Sequence, residues 1–126
     1  MHLIIGGAYQ GKTDYAKAAF GLRDGDIYTC TEGQTAVDFS RPCIDSLEQF
    51  TLACVRAGVD GVAYFRQHRE EWQGSIFICR DIACGVVPLG ADMRAWRQMT
   101  GRLCQLLAKD ARSVRRIFCG LEQRLK

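Results

Sequence analysis

The sequence predicts an α/β fold: a mostly parallel sheet of about four or five strands with helices on both faces. Two observations carry that expectation. Short continuous apolar runs alternate with longer runs whose apolar residues recur at helical spacing, the pattern of strands joined by crossover helices. At the first junction a glycine-rich turn, Gly6-Gly7-Ala8-Tyr9-Gln10-Gly11, separates the apolar run Leu3-Ile4-Ile5 from a helical one. With 126 residues, 48% of them hydrophobic, the chain suits one domain spanning 1–126 with its own core.

Leu3-Ile4-Ile5 is the first strand, and Lys12 to about Phe20 is the first helix, stopped by Gly21. Asp24-Gly25-Asp26 turns the chain into a second strand, Ile27-Tyr28-Thr29-Cys30, followed by the polar loop Thr31-Glu32-Gly33-Gln34. Pro42 fits the first turn of a new helix, where its missing N–H has no intrahelical partner anyway. Ile44, Leu47, Phe50, Cys54 and Ala57 then form a core-facing stripe that Gly58 ends. A further helix is expected from Val62 to Trp72, and Ile76-Phe77-Ile78-Cys79 is the third strand. From Ala83 to Gly90 there are too many helix and strand breakers for regular structure. Met93, Trp96, Thr100, Leu103 and Leu107 mark a long amphipathic helix, and Val114 with Ile117-Phe118-Cys119 a fourth strand closed by Gly120.

Composition excludes several classes. The seven cysteines, an odd number, contain no C-x-x-C pair, so neither a disulfide framework nor a zinc site is indicated. Most lie in apolar runs, where a reduced thiol acts as a small hydrophobe. A net charge of +3 is too small to imply nucleic acid, and the arginines near the C-terminus read as a solvated face. His2-Leu3-Ile4-Ile5 is too short for a signal peptide or a membrane span, which makes a cytoplasmic protein with no membrane partner the expectation.

Gly6 and Gly11 flank four residues and precede Lys12-Thr13, the G-x-x-x-x-G-K-[ST] pattern of a P-loop, in the strand-to-helix context the mechanism requires. The glycines let successive N–H groups turn inward around phosphate oxygens, and the positive end of the following helix points at them. Lys12 would reach the β and γ phosphates of ATP or GTP, and Thr13 would supply a hydroxyl ligand to Mg²⁺. A chance match in a chain this long has a probability on the order of 1% or less. The bland alternative is a glycine-rich turn with an incidental Lys-Thr.

Phosphoryl transfer needs aligned oxygens, a metal and positive charge where negative charge accumulates. Asp81, directly after the apolar strand, is the candidate second metal ligand with Thr13, with Glu32 and Asp38 as weaker rivals. On the long helix Arg94, Arg97, Gln98, Gly101 and Gln105 share one polar stripe. Arg97, with Lys12 and Asp81, is a candidate catalytic residue; an ordinary solvated face is the alternative for the stripe.

Two stretches resemble a known family. One is Ile4-Ile5-Gly6-Gly7-Ala8 with Gly11-Lys12-Thr13. The other is Arg80-Asp81-Ile82-Ala83-Cys84-Gly85-Val86-Val87-Pro88, then Arg94-Ala95-Trp96-Arg97-Gln98, then Gly101-Arg102-Leu103-Cys104-Gln105. In both the chain is similar to the cobalamin-biosynthesis family of adenosylcobinamide kinase / adenosylcobinamide-phosphate guanylyltransferase. It looks like a shortened member. Arg80, Gln98 and Cys104 stand where the family's pattern has asparagine, aspartate and asparagine. The resemblance implies a P-loop NTPase-like fold, γ-phosphate transfer from ATP or GTP to the hydroxyl of adenosylcobinamide, a corrinoid partner, and a homo-oligomer, a trimer. The family's guanylylated histidine lies in a middle segment that is much reduced here. His68, four residues before Trp72, is the one internal histidine that could take that role, against a helical histidine exposed among charges. The rival from another class is a regulatory nucleotide-binding protein that kept the loop and lost the acceptor site.

Overall fold

In the computed structural model, residues 1–82 and 90–126 are described. The expected breaker-rich loop from Ala83, with Gly85 and Pro88, falls outside the described residues except at Gly90. The chain runs β1 (His2–Gly6), α1 (Lys12–Phe20), β2 (Ile27–Thr29), β3 (Cys43–Asp45), α2 (Leu47–Ala57), α3 (Gly61–Gln67), β4 (Ile76–Arg80), α4 (Ala91–Asp110), β5 (Ser113–Phe118) and β6 (Leu121–Arg124). One six-stranded sheet has the order β2-β3-β4-β1-β5-β6, parallel except for the β5–β6 hairpin. This is a mixed α/β architecture. No helix among the described residues is long and apolar enough to cross a membrane.

Central strands read as continuous apolar runs because both of their faces are covered. Along β1 and β4 successive side chains go to opposite sides, so two cores form. Leu3, Ile44, Phe77, Cys79 and Val114 meet α2, α3 and α4 in the larger one, around Phe50, Phe65, Trp72, Leu103 and Leu107. Ile4, Cys43, Ile76, Ile78 and Ile117 meet α1 at Ala16 in the smaller. Phe65 sits 5.2 Å from Phe50 and 5.6 Å from Phe77 between ring centroids, and its carbonyl accepts from Trp72 Nε1 at 2.8 Å. Burying a side chain of that size contributes about 1.5–3 kcal/mol. Buried thiols follow the apolar reading: burial pushes Cys30 and Cys43 up to about 12 and Cys54 up to about 11.

Several elements differ from expectation. Pro42 opens no helix; it leads into β3, and its carbonyl accepts the amide of Ile76 at 2.9 Å. Proline's fixed φ suits the first residue before a strand as well as a first helical turn, and three residues of strand are too few to show a period. The stripe after it belongs to α2 from Leu47 on. The expected helix Val62–Trp72 is α3 plus a separate 3₁₀ turn at Arg69–Trp72, with the break at His68. Asp60 caps α3 by accepting from Val62 N and Ala63 N. The fourth expected strand is β5. The glycine does close it, one residue earlier than expected: Cys119 (φ 51°) and Gly120 (φ 74°) form a two-residue turn, both left-handed as a tight hairpin requires, into the unforeseen β6. Arg115 is not on a solvated face, since it lies 5.3 Å over the Phe20 ring and donates to Tyr15 Oη at 2.6 Å.

Candidate functional site

The loop between β1 and α1 lies at the C-terminal edge of the sheet, where α/β folds present ligand sites. Gly6 is required by space: a Cβ there would stand 2.6 Å from the backbone oxygen of Ile117. Gly11 is required by conformation, with φ 87°. Tyr9 also has positive φ, 60°, and its side chain is fully exposed beside exposed Ala8. Gln10 fastens the loop to the β5–β6 turn, its carbonyl accepting from Gly120 N at 2.9 Å and its Oε1 from Cys119 N at 2.6 Å. Lys12 folds back so that Nζ donates to the Gly7 carbonyl at 2.6 Å. The N-cap of α1 is Gly11, which has no side chain to cap the helix, so its first-turn amides can meet an anion.

Thr13 Oγ1 donates to Asp45 Oδ2 at 2.8 Å. Asp45 is the last residue of β3, two strands away from β1 across β4. Sequence reasoning did not single it out. The available signal was Cys43-Ile44-Asp45, a short apolar run ending in an acid, masked by reading Pro42 as a helix start. A hydroxyl and a carboxylate together at the end of a phosphate-type loop are the oxygen donors that Mg²⁺ takes from a protein while phosphates and water complete its shell. Thr13 and Asp45 therefore fit the ion. Among the described residues no three His, Cys, Asp or Glu side chains are grouped closely enough to hold a metal by themselves.

Glu48, in the first turn of α2, was also missed. It is buried, its Oε1 accepts from Arg80 N at 3.0 Å, and Oε2 has no hydrogen-bond partner among the described residues. Burial pushes its carboxyl above the usual range, and Asp45 adds to the shift; the hydrogen bond from Arg80 N and the Arg80 charge oppose it. The carbonyl of Glu48 accepts from Trp96 Nε1 at 2.9 Å, which docks α4 against the start of α2.

The other expected residues lie elsewhere. Asp81 N donates to the Gly6 carbonyl at 2.7 Å, but Asp81 and Arg97 border a cavity of about 160 Å³ with Cys79, Gly101 and Cys104, toward α4. Of the acids near the loop, Asp45 is the one hydrogen-bonded to Thr13, while Asp81 is tied to the loop through its amide. A hydrogen bond shared with Cys104, together with burial, raises the Cys79 thiol. Glu32 pairs with Arg56 at 3.6 Å, and Asp38 accepts from Ser40 N at 3.0 Å. His68 caps the C-terminus of α3, partly buried against Tyr64 and Phe39 and hydrogen-bonded to Glu71. None of those three partners belongs to the loop. The polar stripe of α4 divides: Arg97 and Gly101 face the small cavity, while Gln98 and Gln105 line a separate groove against α3.

No protein-family model matches the chain, and no curated protein matches it. The functional reading rests on the residues themselves.

Proposed function

We propose that the chain is a P-loop kinase that transfers the γ-phosphate of ATP or GTP to an alcohol, the hydroxyl of adenosylcobinamide, as its resemblance to the cobinamide kinases implies. The observation that carries the reading is the hydrogen bond from Thr13 to Asp45 beside a Gly6–Thr13 loop set between a central parallel strand and its helix. A glycine-rich turn with an incidental Lys-Thr gives no reason for an acid two strands away to meet that threonine. In this reading the loop amides and the N-terminus of α1 hold the phosphates, Lys12 exchanges the Gly7 carbonyl for phosphate oxygens, and Thr13 and Asp45 hold Mg²⁺. The ion supplies charge neutralisation on the transferring group when bound. Asp81 and Arg97, toward α4, are then on the acceptor's side.

Incubation with γ-labelled ATP or GTP, Mg²⁺ and cobinamide tests this directly: labelled cobinamide phosphate is the expected product. Nucleotide binding with no transfer to cobinamide would overturn the kinase assignment and favour the regulatory binding protein, a reading that Arg80 and Cys104, in place of the resembling family's asparagines, support. A covalent guanylyl adduct lost in His68→Ala would restore nucleotidyl transfer; the partners of His68 give no reason to expect one.

A further inference from the structure

We propose that Arg80 contacts the γ-phosphate of the bound nucleotide and supplies, from within the same chain, the positive charge that phosphoryl transfer calls for; this rests on the phosphotransferase reading above. Arg80 is the last residue of β4, and β4 lies between β1, which feeds the loop, and β3, which ends on Asp45. Adjacent strands are about 4.8 Å apart, so the Thr13–Asp45 contact spans the end of β4, where Arg80 stands. The register sets Arg80 directly opposite Gly6, the first residue of the loop.

Alternation gives the side. Ile76 and Ile78 face α1 with Ile4 and Cys43, whereas Phe77 and Cys79 face the other helices. By alternation Arg80 continues the first set, as Asp45 continues from Cys43, which directs both toward the face that carries α1 and the loop; at the strand end Arg80 also borders the small cavity toward α4. Its backbone is fixed from both flanks: its own amide donates to Glu48 Oε1 at 3.0 Å, and the next amide donates to the Gly6 carbonyl at 2.7 Å. Its guanidinium, by contrast, has no ion-pair partner among the described residues, although the side chain is half-buried. A half-buried cation that meets the Glu48 charge only at a distance, with no ion pair among the described residues, carries a desolvation cost that a phosphate would offset. The planar fork also matches phosphate oxygens in a way the point charge of Lys12 does not. In the transfer, the acceptor oxygen forms its bond to the γ-phosphorus and the bond to the β–γ bridging oxygen breaks. That electron pair stays on the diphosphate, and the acceptor proton passes to water. Arg80 bears on the charge spread over the γ-oxygens meanwhile. Glu48, holding only the Arg80 amide, is a positioning residue for it.

The test compares fluorescent guanosine or adenosine triphosphate with the matching diphosphate, in Mg²⁺, on the whole chain and on Arg80→Ala, Arg80→Lys and Arg80→Asn. Circular dichroism first confirms that each is folded. The wild type is expected to prefer triphosphate. Arg80→Ala and Arg80→Asn lose about tenfold or more in triphosphate affinity with diphosphate affinity unchanged, and Arg80→Lys recovers part of it. Turnover of the triphosphate, to water or to cobinamide, falls by about 10³-fold or more. Equal triphosphate preference and turnover in wild type and Arg80→Ala would overturn the assignment of Arg80 while leaving the loop's role standing. A wild type that binds neither nucleotide would instead remove the phosphotransferase reading and this inference with it.

Discussion

On one face of the sheet α2, α3 and α4 close over a core built from Phe50, Phe65, Trp72 and Phe77; on the other, α1 is the helix among the described residues that covers Ile4, Ile78 and Ile117, with Ala16 as its one fully buried residue. The thick face has most of the buried residues and most of the ring contacts, and the thin face has the glycine loop, Thr13 and Asp45. Stability and the candidate site are in this way assigned to opposite sides of the same strands. A short helix with little to bury is free to present its N-terminus, because its place is set by the loop and by Gly21 rather than by deep packing.

Three changes would break or sharpen that contrast. The largest effect is expected from Phe65→Ala on the thick face, a loss of about 3–5 kcal/mol in urea unfolding, with nucleotide affinity of the folded fraction unchanged. A parallel loss of affinity would mean the two faces are not separable. Asp45→Asn on the thin face should do the reverse: about tenfold weaker binding of triphosphate in Mg²⁺, about 1.4 kcal/mol, with little change in Tm and no difference from wild type when the ion is chelated. The smallest effect falls on the residue that joins the faces. The carboxyl of Glu48 is raised, so the fold favours its neutral form, and ionising it costs stability. Below the ordinary carboxylate range both folded and unfolded chains are protonated and the cost is absent; it grows as pH rises through the raised value. Glu48→Gln, which keeps an acceptor for Arg80 N, should therefore be more stable than wild type by on the order of 1 kcal/mol at pH 8, with the gap closing toward pH 4. Thermal melts across pH would show it, and a constant gap would refute the assignment to ionisation.

The same contrast explains what the sequence made legible. β1, α1, α2, β4 and α4 are long or bounded by glycines in left-handed conformation at Gly21 and Gly58, so period and punctuation locate them. β3 escaped because three residues paired on both sides by parallel neighbours need no pattern of their own. β6 escaped because all four of its residues are exposed, leaving no alternation to read. In the site, the loop was legible from spacing alone, since its glycines are dictated by the backbone. The acid was not. Asp81 follows the longer apolar strand and Asp45 the shorter, but which acid meets Thr13 depends on the parity of each strand and on a sheet order in which β4 stands between β1 and β3. The placement of Glu48 and of Arg80 was hidden for the same reason: it comes from register and from the gap where β3 stops one turn before Glu48 caps β4.

Gln10 grips the Cys119–Gly120 turn across more than a hundred residues of chain, and β1 pairs with β5 just as remotely. The consequence reaches back to synthesis. While the ribosome is still adding β5 and β6, the glycine loop has already been made yet lacks one flanking strand and the turn that holds it. A nascent chain should consequently leave the loop without its brace until β5 and the Cys119–Gly120 turn have cleared the exit tunnel.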